Sequence, residues 1–245
     1  MHELTGVLLE MYAFFELSSS LRILPSQTDI DAALGSLVLR IDNLRHFNTF
    51  GVVLGGAPEL FELIPQICQL AVKRKAEITE GVDLGCSLTF QRLDWTIAQW
   101  QPHSTPSFAI SPVSDDQGPY EKGRAASGVT VQSALLLFLW STFIQDKETL
   151  RAMAQPLVDR MVNVIPDLWQ TPFINTTFWP FIVVASYCEN AEQRVRILQF
   201  LPPGVPLLER AAEVLRWVWE SPTGILGLRG LAGAIQLHQT SYCFA

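Results

Sequence analysis

The stretch VTVQSALLLFLWSTFI, residues 129–144, is apolar on all sides at helical spacing. A helix with one apolar stripe packs that side on a core, whereas a helix that is apolar all round lies inside the core. Polar or charged residues bound the stretch, and its apolar run is shorter than the roughly 20 residues that cross a membrane. The stretch therefore predicts the central helix of a helical protein.

Apolar residues recur at helical spacing before this stretch. LTGVLLEMYAFFEL (4–17) is apolar on almost every side, which predicts a buried helix. APELFELIPQICQLAVKRK (57–75) carries one apolar stripe, and Pro65 is expected to kink or divide that helix. CSLTFQRLDWTIAQW (86–100) carries a second stripe, so two amphipathic helices are predicted here.

Helix signals also follow the central stretch. Asp146 is predicted to cap a helix that ends at Pro166. Asn190 followed by Gln193 resembles a capping box, in which each residue satisfies a backbone N–H near the helix start. PLLERAAEVLRWVWE (206–220) has apolar residues on one face and charged residues on the other, which predicts an amphipathic helix.

The segment FINTTFWPFIVVASYC (173–188) is polar at its start and then almost wholly apolar. Thr176 or Thr177 is expected to cap a core helix, with Pro180 in its first turn. The sequence leaves open whether the aromatic side chains of this helix fill the core or face a cavity.

One region breaks the helical pattern. Residues 101–128 are dense in Pro, Ser, Gly and Asp, which predicts a long loop. No alternation of polar and apolar residues is long enough to indicate a sheet. The predicted fold is all-α, an irregular helical bundle or stacked helix pairs, with residues 1–245 as a single domain.

Charge and cysteine content narrow the functional classes. The net charge is −7, and proteins that bind phosphate backbones need a basic face, so direct nucleic-acid binding is not expected. The basic run 73–75 is interpreted as complementing the negative end of a helix dipole. The N-terminus lacks a basic signal-peptide region, and the four cysteines have no C-x-x-C spacing. An intracellular protein with reduced thiols and no membrane span is expected.

Motifs for cofactor or metal chemistry are lacking. The four histidines show no metal-ligand spacing, and there is no G-x-S-x-G nucleophile elbow. GLRGLAG (227–233) follows no strand, so it predicts close helix packing or a loose tail rather than a phosphate-binding loop. No metal or cofactor is therefore predicted.

Several segments, in this order, resemble the C-terminal regulatory domain of fungal zinc-cluster transcription factors, the less common of two related domain types. They are VLLEMYAFFELSSSLRILP (7–25), GGAPELFELIPQICQLAVKRK (55–75), AQWQP (98–102), SALLLFLWSTFI (133–144), FWPFIVVASYCENAEQRVRIL (178–198) and LERAAEVLRWVWE (208–220). The resemblance spans about residues 4–220. It implies an all-helical domain that lies behind a DNA-binding zinc cluster and senses small molecules or partners.

Three departures from that family pattern bear on function. The six closely spaced cysteines of the zinc cluster are not present in these 245 residues. The N-terminal helices of the full family domain are not recognisable, and residues 221–245 diverge from the expected ending. A regulator of this kind would have to act through another protein, or the helical domain serves another purpose.

The first functional hypothesis is a stand-alone domain that binds an apolar small molecule, in the form of a cofactor-independent cyclase acting on a terpenoid or polyketide in fungal secondary metabolism. Positioning alone can lower the barrier of such a reaction. Tyr12, His46 and Tyr187 are the candidate catalytic groups, because each could polarise a carbonyl. The candidate substrate-binding side chains are Phe15, Trp95, Gln132, Trp140 and Trp179. Ordinary packing explains each of these residues equally well.

The alternative hypothesis is a transcriptional regulator or co-regulator of a fungal biosynthetic gene cluster, with no DNA binding of its own. It would act through a protein partner or as a homodimer, and it would reside in the nucleus. A third possibility is a decayed gene fragment whose bare apolar faces make it poorly soluble.

Overall fold

Helices make up the regular structure of the chain. A computed structural model describes residues 2–20, 41–55, 57–102 and 117–238. The α-helices are α1 (His2–Ser20), α2 (Pro58–Phe61), α3 (Ile64–Glu80), α4 (Cys86–Gln99), α5 (Gln117–Phe143), α6 (Lys147–Trp169), α7 (Ile174–Ala185), α8 (Ala191–Gln199), α9 (Pro206–Trp219) and α10 (Gly227–Leu237), with a 3₁₀ turn at Ile41–Leu44. These ranges contain no strand, which confirms the predicted all-α fold.

Helix α5 lies at the centre of the bundle. It packs against α2, α3, α4, α6 and α7. Its middle is inaccessible to solvent, as the zero exposure of Val131, Leu135 and Leu139 shows. The prediction of a central helix from residues 129–144 is confirmed. A helix with apolar side chains on every side is covered by neighbours on every side.

The start of α5 corrects the loop prediction for residues 101–128. Residues 117–128 are helical, and residues 103–116 lie outside the described ranges. Small residues serve as contact points here rather than as loop formers. A Cβ at Gly123 would lie 2.2 Å from Thr171, and a Cβ at Gly128 would lie 2.4 Å from the Trp100 ring. The glycines therefore let neighbouring elements approach the α5 backbone closely.

With this extension, Gly118–Phe143 is long and apolar enough to cross a membrane, contrary to the sequence prediction for the shorter run. Length and composition do not distinguish a spanning helix from a core helix. Most of this one is buried against the other described helices, as expected of a helix inside a protein core.

Helix α7 lies among α5, α6, α9 and α10. Its start differs from the prediction, because the hydroxyls of Thr176 and Thr177 donate back to the Phe173 carbonyl at 3.1 and 2.5 Å instead of capping the helix. Pro180 lies in the interior of α7 rather than in its first turn. The Trp179 side chain is only 4% exposed and belongs to the core cluster.

The ends of α6 show which local signals hold. Asp146 caps this helix by accepting the Thr149 N–H at 2.8 Å, as predicted. The prediction that Pro166 ends α6 is wrong, because the helix continues to Trp169. Pro166 faces solvent, whereas the neighbouring Ile165 side chain is fully buried. Burial of the inner face therefore outweighs the loss of one backbone hydrogen bond on the outer face.

The capping box before α8 is half confirmed. The Asn190 side chain accepts the Glu192 N–H at 2.8 Å, so it caps the helix. Gln193 does not return to the Asn190 backbone, and its amide donates instead to Asp159 of α6. A contact between helices has replaced the second half of the local motif.

Helix α1 is buried on one side only, which corrects the prediction for residues 4–17. Ala13, Phe14 and Leu17 face the core. The outward stripe is at least 40% exposed and consists of Leu4, Leu8, Met11, Tyr12 and Phe15. The sequence alone does not show that the contacts of α1 with α3 and the 3₁₀ turn cover a single face.

A buried carboxylate ties α1 to the loop before α2. Glu10 is 1% exposed, and its Oε1 accepts N–H groups from Gly51, Val53 and Leu54 at 3.0, 3.0 and 2.7 Å. Burial raises the pKa of this carboxyl above its ordinary value of 4.5, while the backbone N–H groups act in the opposite direction. The carboxyl thus organises a loop that lacks regular structure.

Glu10→Gln should change how stability depends on pH. The folded state binds the Glu10 proton more tightly than the unfolded state does, so this stabilising contribution is complete below pH 4.5 and is lost as pH rises through the raised pKa. Glutamine cannot ionise, yet its carbonyl oxygen can accept the same N–H groups. As pH rises from 4.5, the difference in unfolding free energy should therefore shift in favour of the variant.

Urea unfolding of both proteins across that pH range measures this difference. Glu80→Gln, which removes an exposed carboxylate at the end of α3, is the control and should show a smaller drift with pH. A difference between Glu10→Gln and the parent that stays constant with pH would contradict the prediction.

Candidate functional site

The three residues predicted as catalytic lie on different elements. Tyr12 is 50% exposed on the outer stripe of α1. His46 is exposed in the turn that follows the 3₁₀ helix. Tyr187, just after α7, is 2% exposed and belongs to the core. Their proposed joint role in catalysis stays an untested prediction, and only one of the three is buried.

Tyr187 packs closely against the start of α10. A Cβ at Gly227 would lie 2.0 Å from the Cζ atom of its ring. Burial raises the pKa of the Tyr187 hydroxyl to about 12, while a hydrogen bond from the Leu228 backbone acts in the opposite direction. The phenol therefore stays protonated at neutral pH and fills the junction between α7 and α10.

The predicted substrate-binding aromatics divide between surface and core. Phe15 and Trp95 are 45% and 66% exposed. Trp140 is half-buried and donates its indole N–H to Asp94 at 2.6 Å, linking α5 to α4. Trp179 lies in the core, and its indole nitrogen has no hydrogen-bond partner within the described ranges.

Gln132 joins α5 to the end of α4. Its side-chain amide donates to the carbonyls of Ile97 and Trp100 at 2.7 and 2.9 Å, and its oxygen accepts from Arg160 at 2.7 Å. The last carbonyls of a helix lack their usual donors within the helix, so side chains, water or 3₁₀-type bonds satisfy them. Gln132 supplies these donors from inside the core, which accounts for its position.

A cleft of about 420 Å³ lies between α3, the end of α5 and the first turns of α10. It opens to solvent along one side instead of being enclosed. Its lining consists of Ala71, Arg74, Lys75, Ile78, Thr79, Ser141, Thr142, Gln145 and Arg229. None of the eight residues predicted from sequence as catalytic or substrate-binding belongs to this lining.

The cleft is positively charged. Three of its nine lining residues are cationic and none is acidic, although the whole chain carries a net charge of −7. Arg74 is paired with Glu77, and its guanidinium lies 4.9 Å from the centre of the Phe143 ring. The hydrogen bond from Arg74 lowers the pKa of Glu77 to about 2, so this ion pair persists at neutral pH.

The other two cations are available to a ligand. Within the described ranges, neither Lys75 nor Arg229 forms an ion pair with a carboxylate. Arg229 instead donates to the Gln145 side chain at 3.0 Å, which holds its guanidinium beside the end of α5. A bound anion would therefore meet two cationic groups without first displacing an acidic residue.

The hydroxyl groups of the cleft have a defined hydrogen-bonding role. Thr79, Ser141 and Thr142 each donate to a backbone carbonyl of their own helix, at 2.8, 2.7 and 2.7 Å. A hydroxyl has one donor and two acceptor sites, so these groups offer a ligand acceptors only. The cleft thus offers a ligand both cationic side chains and hydroxyl oxygens that can accept hydrogen bonds from N–H groups.

The basic run 73–75 supplies two of the three cations of the cleft, although the sequence predicts another role for it. That predicted role is to complement the helix dipole, yet α3 continues to Glu80, more than one turn beyond the run. Arg229 lies about 150 residues from that run, in a glycine-rich stretch predicted to pack closely or form a tail. Close helix packing is correct, because Gly230 lies against Val218 and the Ile225 carbonyl.

Comparison with known protein families places the chain. The family model described as the fungal specific transcription factor domain matches residues 3–224. The chain belongs to this family. The resemblance inferred from the sequence segments is thereby confirmed. No curated protein and no solved structure matches the chain significantly.

The family match covers the elements from α1 to α9 of this transcription factor domain and ends before α10. Arg74 and Lys75 lie within the matched range, whereas Arg229 lies beyond it. In the described ranges there is no group of three or more histidine, cysteine or acidic side chains placed to hold a metal ion. Cys68, Cys86 and Cys188 are buried and free, as predicted, and Cys243 falls outside the described residues.

Proposed function

We propose that the chain is the regulatory domain of a transcriptional regulator that acts in the nucleus through a protein partner. Its membership of the fungal transcription factor domain family carries this proposal. The net charge of −7 supports an indirect mode of action, because a protein that holds DNA must neutralise several phosphates with a basic face. These 245 residues would thus contact a partner protein rather than promoter DNA.

The cyclase hypothesis has less support. It required aromatic and polar side chains to surround an apolar substrate, and Tyr12, Phe15 and Trp95 are at least 45% exposed. Trp179 and Tyr187 are packed in the core cluster. A role for the domain in secondary metabolism would therefore be regulatory in this proposal.

Deletion of the gene tests the proposal directly. Transcripts of the genes under its control should change, and their products should change in parallel. Unchanged transcripts together with accumulation of a late biosynthetic intermediate would overturn the proposal and favour an enzyme.

A tethering experiment separates the regulatory role from promoter binding. Residues 1–245 fused to a heterologous DNA-binding domain should alter the output of a reporter that carries the matching site, whereas the unfused chain should leave it unchanged. The DNA-binding domain alone is the control. Reporter output equal to that control, from a fusion that accumulates normally, would also count against the proposal.

A further inference from the structure

We infer that the cleft between α3, the end of α5 and α10 binds an acidic segment of a partner protein, one that carries apolar side chains between its carboxylates. The inference rests on the proposed function in taking the ligand to be a protein. It adds the place of binding and the chemistry of the segment. Three features of the cleft support it: its charge, its exposed apolar surface and its hydrogen-bonding groups.

The positive charge of the cleft indicates that its ligand is negatively charged. Lys75 and Arg229 stand on opposite sides of the cleft, on α3 and α10, and no acidic side chain belongs to the lining. Carboxylates spaced along a peptide could therefore pair with both. A nucleic acid fits less well, since the chain as a whole is acidic and would repel an extended run of phosphates.

Apolar surface lies between these charges. Ile78 is 58% exposed and lines the cleft together with Ala71, which lies about two helical turns earlier on α3. A purely acidic ligand would leave this surface in water, whereas a segment with interspersed leucine or phenylalanine would bury it.

The hydroxyl groups favour a peptide over a small carboxylate. Thr79, Ser141 and Thr142 use their donor sites within their own helices and have only acceptor sites left. A small carboxylate has acceptors alone and gains nothing from them. A peptide backbone brings an N–H at almost every residue, and the cleft is open to solvent instead of enclosed, so it can admit part of a longer chain.

The binding test uses the full chain and a labelled synthetic peptide in which aspartate alternates with leucine and phenylalanine, measured by fluorescence anisotropy. A matched peptide with lysine in place of aspartate is the probe control. We expect the acidic peptide to bind and the basic one not to bind, with affinity falling as ionic strength rises. Lys75→Glu and Arg229→Glu should each weaken binding by about tenfold.

Two charge reversals outside the cleft serve as matched variants. Lys122→Glu on α5 and Arg196→Glu on α8 change the net charge by the same amount at exposed positions, and binding should be nearly unchanged. Thermal melting checks that every variant is folded. If Lys75→Glu or Arg229→Glu does not fold, the neutral variant Lys75→Gln or Arg229→Gln is measured in its place. Equal loss in the cleft and control variants would overturn the inference by showing a non-specific charge effect.

Two other outcomes would also overturn it. One is absence of binding to the acidic peptide. The other is binding of decanoate, a small apolar carboxylate, at the cleft without binding of the peptide. The reporter assay distinguishes this failure from failure of the proposed function. If the tethered chain still changes reporter output but no peptide binds, only the cleft inference fails; if the peptide binds and reporter output is unchanged, only the regulatory role fails.

Discussion

Gly227→Ala is expected to destabilise the protein strongly. Gly227 has a φ of 72°, in the left-handed region, where an alanine costs about 1–2 kcal/mol. Its new Cβ would also lie 2.0 Å from the Tyr187 ring, which is fully buried and cannot move outward. Overpacking of this kind adds about 1–3 kcal/mol. We expect the free energy of unfolding to fall by about 3 kcal/mol, measured by chemical denaturation.

Gly233→Ala is the matched control in the same helix. No atom lies within 4 Å of a Cβ built at Gly233, and the residue is exposed. Alanine is the better helix former, so this variant should gain about 0.5–1 kcal/mol. Gly227→Ala should therefore lower the free energy of unfolding, and Gly233→Ala should raise it. Equal stability would mean that the α7–α10 junction yields more easily than its packing indicates.

Gln132→Leu is expected to have the second largest effect. Leucine has nearly the same size, but it removes the donor to the part-buried Trp100 carbonyl and one of the two donors to the buried Ile97 carbonyl, which keeps the Trp100 N–H at 3.2 Å. A lost intramolecular hydrogen bond costs about 0.5–1.5 kcal/mol, so the loss of both bonds should lower the free energy of unfolding by about 2 kcal/mol. The exposed Arg160 adds little, because water can replace its lost acceptor.

Two further variants show whether these hydrogen bonds are the cause. Gln132→Glu keeps the acceptor for Arg160 and loses both donors, so it should cost at least as much as Gln132→Leu. Gln69→Leu, at an exposed position on α3, should change stability by no more than about 0.5 kcal/mol. Amide hydrogen exchange in the last turn of α4 should be faster in the two position-132 variants and unchanged in Gln69→Leu. A cost for Gln132→Leu as small as that for Gln69→Leu would refute this role.

Periodicity and capping identified the helices whose signals are local. The apolar run at 129–144 is a core helix because side chains that avoid water on every side require neighbours on every side. Asp146 caps α6 because its carboxylate is next to the N–H groups that it satisfies. Pro65 divides α2 from α3, as its missing N–H predicts, and lies in the first turn of α3.

Other signals were overridden by contacts between distant residues. Pro166 remains inside α6, and Gly123 and Gly128 belong to a helix on which Thr171 and Trp100 pack closely. Gln193 turned from its local cap to Asp159. In each case the partner is remote in sequence, so the spacing of residues along the chain does not predict the contact.

The sequence by itself determined the all-α class, the central helix and the family, because all three follow from the order and periodicity of apolar segments. Only the tertiary structure decided which aromatic side chains are exposed and that Lys75 and Arg229 line one cleft. Which face of a helix is buried depends on the elements that pack on it, and those elements come from distant parts of the chain. The candidate site therefore arises from the packing of α3, α5 and α10, whose cationic and apolar residues meet only in the folded protein.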